Sequence, residues 1–435
     1  MKKVLFTLMS IVSVSILSQA QAPWQAEWIT DTVGLGASVT QDVFYSFSNG
    51  TVRAENNKNW HIAFALSTAG DSAGVWANHQ AGNNFTKVFN IHKAASQFSS
   101  IVLGDTGATA NILYNNDKGW YNGAFNNIAS SNVFSFGWGT YDQTVHNVYG
   151  DSAFIVRAQG VYYKFVIDSL DGLNAKYYFR VENLTTPAAA TSHVVSKSPN
   201  FTNRLFAYFN LASLSDTNRE PAISAWDVQF CRYTTDAVGS GQGTNNNVIG
   251  VLNNKGVRSA KAIGLPVDTA YDLRNNYALD SIISTIGYNW KIFDLNNNIW
   301  YCPDSISYFI ADKNSNLWQL QFIDYAGTSV GTITLRKRAV WPLSIAQLPA
   351  SINQVAVVPN PAQNQMNVII DAKQGETATI QLIDILGNRV LNTTTNIKTG
   401  INAVTLPVNH LNNGTYILSI NGKTWQINEK IMIAK

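Results

Sequence analysis

The sequence predicts a mostly β protein: two tandem antiparallel β-domains followed by a small C-terminal β-sandwich. Three observations carry this. Trp60, Ile62, Phe64 and Leu66 alternate with His61, Ala63 and Ala65, the period-two pattern of a strand with one buried face. Asn, Gly and Asp clusters punctuate such runs from end to end, and no long amphipathic helical stretch follows the first two dozen residues. Charged residues make up 13% of the 435, about half the usual share of roughly a quarter, while hydrophobic residues reach 46%. A chain of this kind can build real cores under a surface that is polar without being ionic.

In chain order, residues 1–20 read as a secretory signal peptide. Lys2 and Lys3 precede an apolar run over residues 4–17, and small residues alternate across 18–22, with cleavage expected after Ala20. The run is too short for a membrane span, and no later stretch reaches about 18 apolar residues. No cysteine follows the cleavage region, so an N-terminal lipid anchor is not expected. Export implies an oxidising environment, which makes a disulfide between Cys231 and Cys302 the expectation, on neighbouring strands of one domain; the alternative is two separate buried thiols.

Internal similarity then divides the body of the chain. "VFYSFSNGTV" (43–52) resembles "LFAYFNLASL" (205–214), and "NWHIAFAL" (59–66) resembles "AWDVQFCR" (225–232), placing Trp60 over Trp226 and His61 over Asp227. "WGTYD" at 138, "GDSAFIV" at 150 and "YYKFVID" at 162 find counterparts in "WKIFD" at 290, "PDSISYFI" at 303 and "WQLQFID" at 318. Five matches in one order mark residues 26–196 and 197–342 as two copies of a β-domain, each large enough for its own core. A Pro-punctuated linker spans 343–354. Residues 355–435 carry short strands at intervals of about ten residues, the spacing of a small sandwich.

Candidate chemistry is sparse. Gly70-Asp71-Ser72-Ala73-Gly74 matches the G-x-S-x-G pattern with His61 upstream, but it lacks the strand-elbow-helix context of a nucleophilic serine. No carboxylate pair stands out for glycoside hydrolysis, and no metal-binding motif appears. With 30 basic against 27 acidic residues and no basic run longer than Arg336-Lys337-Arg338, no nucleic-acid partner is expected. Trp120, Tyr121, Phe125, Phe134, Phe136, Trp138 and Tyr141 lie among Asn and Gly; they read either as a platform for a sugar or porphyrin ring, or, for Phe134, Phe136 and Trp138, as one buried strand face. The protein is not expected to be an enzyme.

The tail resembles the type A C-terminal sorting domain of the type IX secretion system of Bacteroidota. Pro359-Asn360-Pro361, Leu386-Gly387-Asn388-Arg389-Val390, Gly414-Thr415-Tyr416 and the terminal run from Lys430 to Lys435 carry the resemblance. It implies recognition by the secretion machinery and a destination outside the cell or on its surface.

The two copies resemble the HmuY-type haem-binding family. The better match is the second, through "AWDVQFCRYTTDAVGSGQG" (225–243) and "SYFIADKNSNLWQLQFIDYAGTSVGTITLRKRA" (307–339). That resemblance implies haem held between two histidines. All six histidines lie outside 197–342, so the second copy cannot supply such a pair; in the first, His146 with His92, or with His79, are the candidates, and the plainer reading makes them polar loop residues. Asp-Ser and Asp-Thr turns at Thr32, Ser72, Ser152, Ser169, Thr269, Ser281 and Ser305 resemble the O-glycosylation signal of the same bacteria, or serve as ordinary turn caps. The expectation is a secreted or cell-surface protein without a membrane span that captures a ligand, haem or another porphyrin first; the alternative is a structural or adhesive protein that binds glycans or proteins.

Overall fold

The computed structural model describes residues 27–435 apart from 67–72, 83, 187, 237–244, 273, 341–350, 385–387 and 424. The expected leader, the Gly70–Gly74 loop with Ser72 up to its last two residues, the equivalent Gly-rich loop of the second copy and most of the linker lie outside the described residues. The chain is nearly all β, as the alternation predicts, and divides into two compact units, Met1–Trp341 and Pro342–Lys435. Among the described residues no helix is long and apolar enough to cross a membrane.

The first unit begins with β1 (Ile29–Gly34), β2 (Gln41–Ser46), β3 (Gly50–Asn56), β4 (Ile62–Ala65), β5 (Val75–Ala77), β6 (Thr86–Ala94) and β7 (Asn111–Leu113). A hairpin of β8 (Gly139–Asp142) and β9 (Asn147–Gly150) leads into β10 (Ser152–Ala158), β11 (Val161–Asp171), β12 (Lys176–Asn183) and β13 (Thr191–Ser196). The series then repeats: β14 (Phe206–Asn210), β15 (Ser215–Thr217), β16 (Val228–Asp236), β17 (Asn245–Asn253), β18 (Arg258–Ile263), the hairpin β19 (Ile292–Asp294) and β20 (Ile299–Tyr301), β21 (Ile306–Ala311), β22 (Leu317–Tyr325) and β23 (Thr332–Val340).

These strands build two lobes of the same plan. In one, β13-β12-β11-β10-β6 faces β15-β14-β4-β5 across a core of Phe64, Phe125, Trp138, Phe154, Phe165 and Phe179. In the other, β1-β23-β22-β21-β18 faces β3-β2-β16-β17 across Tyr45, Phe230, Trp290, Tyr308 and Phe322. Pairing crosses the 196/197 division in both directions. Hairpin β2–β3 joins β16, with Tyr45 opposite Val228, and hairpin β14–β15 joins β4, with Phe209 opposite Ile62. The two lobes thus exchange hairpins within one chain. β1 closes the second lobe on β23, and the guanidinium groups of Arg336 and Arg338 lie 4.5 and 4.4 Å from the Trp28 ring centre.

The repeat extends to single contacts. Phe44 meets Trp226 edge-on at 5.1 Å, and Tyr208 meets Trp60 edge-on at 5.1 Å. Asp227 Oδ2 accepts the Phe47 N–H at 2.8 Å where His61 Nδ1 accepts the Leu211 N–H at 3.0 Å. Asn254 and Asn78 each donate to a Trp carbonyl, of Trp226 and Trp60, at 2.7 Å. These equivalences place Phe44 over Tyr208, two residues away from the match of 43–52 with 205–214. A shift of two keeps every side chain on its face, so alternation alone does not detect it.

Between the lobes Phe44, Trp60, Trp76, Trp120, Tyr208 and Trp226 pack as one cluster. Arg219 lies beside it, fully buried, donating to Asp42 Oδ2 at 2.6 Å and to Asn59 Oδ1 at 3.0 Å. Burial lifts Asp42 to about 6 against the pull of Arg219. The adjacent Glu220 accepts the N–H groups of Leu205 and Phe206 and the Tyr208 hydroxyl, and burial lifts it to about 7. Both carboxyls therefore contribute stability that is present at low pH and lost as pH rises through those values. His61 and His79, which burial pushes down to about 4, contribute stability that is present above the ordinary histidine value and lost as pH falls toward about 4. The two sets oppose each other over the same window. Urea midpoints measured from about pH 5 to about pH 7 are expected to change little in the natural protein and to fall on acidification in Glu220→Gln, where Asp42 alone opposes the two histidines.

The expected disulfide is absent: Cys231 and Cys302 are both free thiols. Cys231 lies on β16, whose neighbours are β2 and β17, and faces the cluster between the lobes. Cys302 follows β20, which pairs with β19 alone, and sits at the margin of the second lobe's core. The two are not on neighbouring strands. Burial raises both thiols, Cys302 to about 12, so neither is a ready thiolate.

The second unit is the expected small sandwich. A sheet of β24 (Ile352–Val358), β25 (Gln365–Ala372) and β28 (Gly400–Pro407) covers a sheet of β27 (Arg389–Ile397), β26 (Glu376–Ile383), β29 (Gly414–Asn421) and β30 (Gln426–Ile433). Met366, Val368, Ile370, Ile380, Leu382, Leu418, Ile420 and Ile431 fill the space between them.

Candidate functional site

Four motifs that are far apart in the tail converge at one end of its sandwich. Gly414 pairs with Ile433 and Thr415 with Met432, which sets the Gly-Thr-Tyr segment beside the chain terminus. Ile383 pairs with Ile417 and with Arg389, so Asn388 lies at that same end, while Leu386 and Gly387 lie outside the described residues. Ala362 bridges Ile433 in parallel and brings Pro359-Asn360-Pro361 there as well.

Side chains lock the assembly. Asn360 Oδ1 accepts the Met432 N–H at 2.9 Å, while the Ala362 N–H donates to Met432 O at 2.8 Å and the Ala434 N–H to Ala362 O at 2.9 Å. The amide of Lys435 donates to Asn413 Oδ1 at 2.9 Å, and its ammonium reaches the carbonyls of Asn409 and Leu411 at 2.5 and 2.6 Å. Tyr416 buries its ring and donates its hydroxyl to Asn412 O at 2.9 Å. Asn388 closes its hairpin on both carboxylate oxygens of Asp384. The backbone of Lys430 pairs with Ile417. Among the described residues no metal-binding cluster is part of this end. The staple from Asn360 to the last strand has no local sequence signal, because its partners are 72 residues apart.

The histidines of the first unit separate by burial. His61 stacks on Phe85 at 5.1 Å, His79 lies within hydrogen-bond distance of Asn115 Nδ2 at 3.2 Å, and His193 stacks on Phe179 at 5.5 Å. His92 and His146 are exposed, and both have left-handed backbones, with φ of 55° and 58°. His92 sits near the end of β6, where its N–H donates to Asn90 Oδ1. His146 ends the β8–β9 turn with Nδ1 2.8 Å from the Tyr141 hydroxyl, in the position that Asn298, φ 56°, takes in the β19–β20 turn. No hydrogen bond or ring contact joins His92 to His146 among the described residues.

Apolar residues occur on the turn of His146 and on the segments next to it. Phe134, Val145 and Leu173 are exposed, with Phe136 and Tyr141 half-buried beside them. The turn carrying Leu173 approaches closely because a side chain on Gly172 would meet the His146 carbonyl at 2.2 Å. Phe134, Phe136 and Trp138 do not form one buried face: only Trp138 is in the core, donating its indole N–H to Ala73 O. Trp120 and Phe125 are buried too and form no exposed platform.

Of the Asp-Ser and Asp-Thr turns, Thr32, Thr269 and Ser281 are exposed, and Ser152, Ser169 and Ser305 are half-buried. Ser152 Oγ donates to Asp151 at 2.7 Å, and the Thr32 N–H to Asp31 at 2.8 Å, but Thr32, Ser152 and Ser169 lie on strands β1, β10 and β11, so these three are not turn caps. Among the described residues no group of three or more His, Cys, Asp or Glu side chains could hold a metal ion.

Residues 356–434 match the family described as the secretion system C-terminal sorting domain. None of the curated proteins matches the chain. Of solved structures, dimeric latent PorU from Porphyromonas gingivalis is 10% identical, with 91% of this chain and 34% of that one covered and a TM-score of 0.17. The BSP domain of a biofilm-associated protein is 11% identical, with 94% and 82% covered and a TM-score of 0.17. The chain spans about a third of the PorU chain, 34%, and likeness at these scores is too slight to relate the folds. The sorting domain indicates export by type IX secretion to the cell surface or beyond it.

Proposed function

We propose that residues 27–340 are a non-enzymatic cargo that captures a ligand outside the cell, while residues 355–435 are its address. A flat, largely apolar ligand, haem or another porphyrin, is the first candidate. The observation that supports it is the exposed His146 ring beside Tyr141, with exposed Val145 on the same turn and exposed Phe134 and Leu173 on neighbouring segments. An imidazole that keeps one nitrogen on a tyrosine hydroxyl and the other toward solvent suits axial ligation, and exposed apolar side chains suit a macrocycle face. His92 does not join this cluster, so the reading stands on His146 alone.

Haem titrated into the secreted protein is expected to give a sharp Soret shift that His146→Ala abolishes. No shift in the natural protein would remove the haem reading. A second reading, adhesion through protein or glycan contacts, is favoured by Val133, Leu173 and Leu295, which stand 89%, 66% and 85% exposed; retention of the protein on a glycan or protein array without a Soret response would support it. For the address, deletion of residues 355–435 is expected to leave the cargo inside the cell, measured as the fraction recovered in the medium and on the surface.

A further inference from the structure

We infer that the secretion machinery docks on the outer face of the β27-β26-β29-β30 sheet, at the end where the motifs converge, on an apolar row of Ile383, Ile417 and Met432. On each of these strands alternate residues point away from the core: Ala378, Ile380 and Leu382 are buried and Ile383 is not, and Tyr416 and Leu418 are buried while Ile417 is 40% exposed. Met432, 44% exposed, lies between the buried Ile431 and Ile433. Ile383 is directly opposite Ile417, and Met432 is opposite Thr415, diagonal to Ile417. Val358, 49% exposed, precedes the Pro-Asn-Pro loop whose Asn360 holds the Met432 backbone.

The same outer face changes character away from the motif end. There the paired residues are Gln381 with Ser419, Thr379 with Asn421, Ser419 with Asn428 and Asn421 with Gln426, all amides and hydroxyls. On this face the apolar side chains left in water are therefore concentrated where Pro359, Asn388, Gly414 and Lys435 meet. The motif residues themselves hold backbone in place, so the side chains they present are what a partner can touch. Arg389, opposite Ile383 and exposed, and the exposed Lys435 put positive charge at the margin. The fitting occupant is a protein of the secretion machinery with an apolar patch bordered by carboxylates. This inference rests on the reading of the tail as the export address.

The test is the exported fraction of Ile417→Asp/Met432→Asp in the full chain, compared with the control Gln381→Glu/Asn428→Asp, which puts acidic groups on the polar half of the same face. Both targets are part-exposed, and the uncharged pair Ile417→Asn/Met432→Gln serves as a second variant, with cooperative melting of each purified protein showing that the sandwich is intact. A loss of about tenfold or more is expected for the first pair, a smaller loss for the second and a change within about twofold for the control, as for substitution at the centre against the margin of an interface. Export of the Ile417/Met432 variant at the natural level, while the 355–435 deletion is retained, would overturn the docking face and leave the address standing. Export of the deletion itself would overturn both.

Discussion

Fragments cut at the 196/197 division, 27–196 and 197–340, are expected not to fold separately and to recover native structure when mixed. Each would carry a hairpin whose partner strand is in the other. The first keeps β2–β3 without β16 and β4 without β14, which uncovers Phe44, Tyr45 and Phe64, all fully buried in the intact chain. The second keeps β14–β15 without β4 and β16 without β2, and also loses β1 from the edge of β23. Unpaired edges with this much apolar surface pair with other chains and aggregate. Residues 59–217 contain every strand of the first lobe, so that fragment is expected to melt cooperatively on its own. Near-ultraviolet circular dichroism and gel filtration of each piece, then of the mixture, measure the outcome; a monomeric 27–196 with a cooperative melt would refute the exchange.

Arg219→Ala is expected to cost about 3–5 kcal/mol of stability, because it leaves Asp42 buried without its partner. Neither side chain of the pair has any exposed surface, so water cannot take the place of the guanidinium. The residue also loses its position 5.0 Å from the Tyr208 ring centre and its bond to Asn59. Replacing both partners by apolar residues of similar volume, Arg219→Met with Asp42→Leu, is expected to recover most of the loss, since a buried pair gains little over good packing. Urea unfolding at neutral pH measures both; a cost below about 1 kcal/mol for Arg219→Ala would show that the pair is not isolated from solvent.

Much of this was legible in the sequence. Alternation at Trp60 to Leu66 located a strand but not its burial, since both faces of β4 are buried, Ile62, Phe64 and Leu66 in the first lobe's core and Trp60, Ala63 and Ala65 in the cluster between the lobes; the Trp60/Trp226 match located the repeat, and the spacing of turns in 355–435 located the sandwich. Pairing partners were not legible. Nothing local at Tyr45 says that it will pair with Val228 rather than with a residue of its own copy, since both choices bury the same face. The disulfide expectation failed for the same reason: Cys231 and Cys302 share a lobe, but their neighbours are decided by pairings that span the chain. At the candidate sites the motif residues of the tail could be named in advance, whereas the row of Ile383, Ile417 and Met432 depends on register. His146 was named as a candidate through the HmuY-type resemblance, and its left-handed turn, shared with Asn298, is visible only in the backbone.

The closure of the second lobe by β1 also decides how the cargo responds to load. Ile29 lies opposite Lys337 and Gly34 opposite Thr332, so the N-terminal end of β1 and the C-terminal end of β23 leave the antiparallel pair together. A pull between those ends peels the outermost strand away one rung at a time instead of shearing six residues at once. The first lobe lies wholly within the loop of chain that this pair closes and feels no tension until β1 has come away. A protein tethered by its tail and drawn by its front would give way at one rim first.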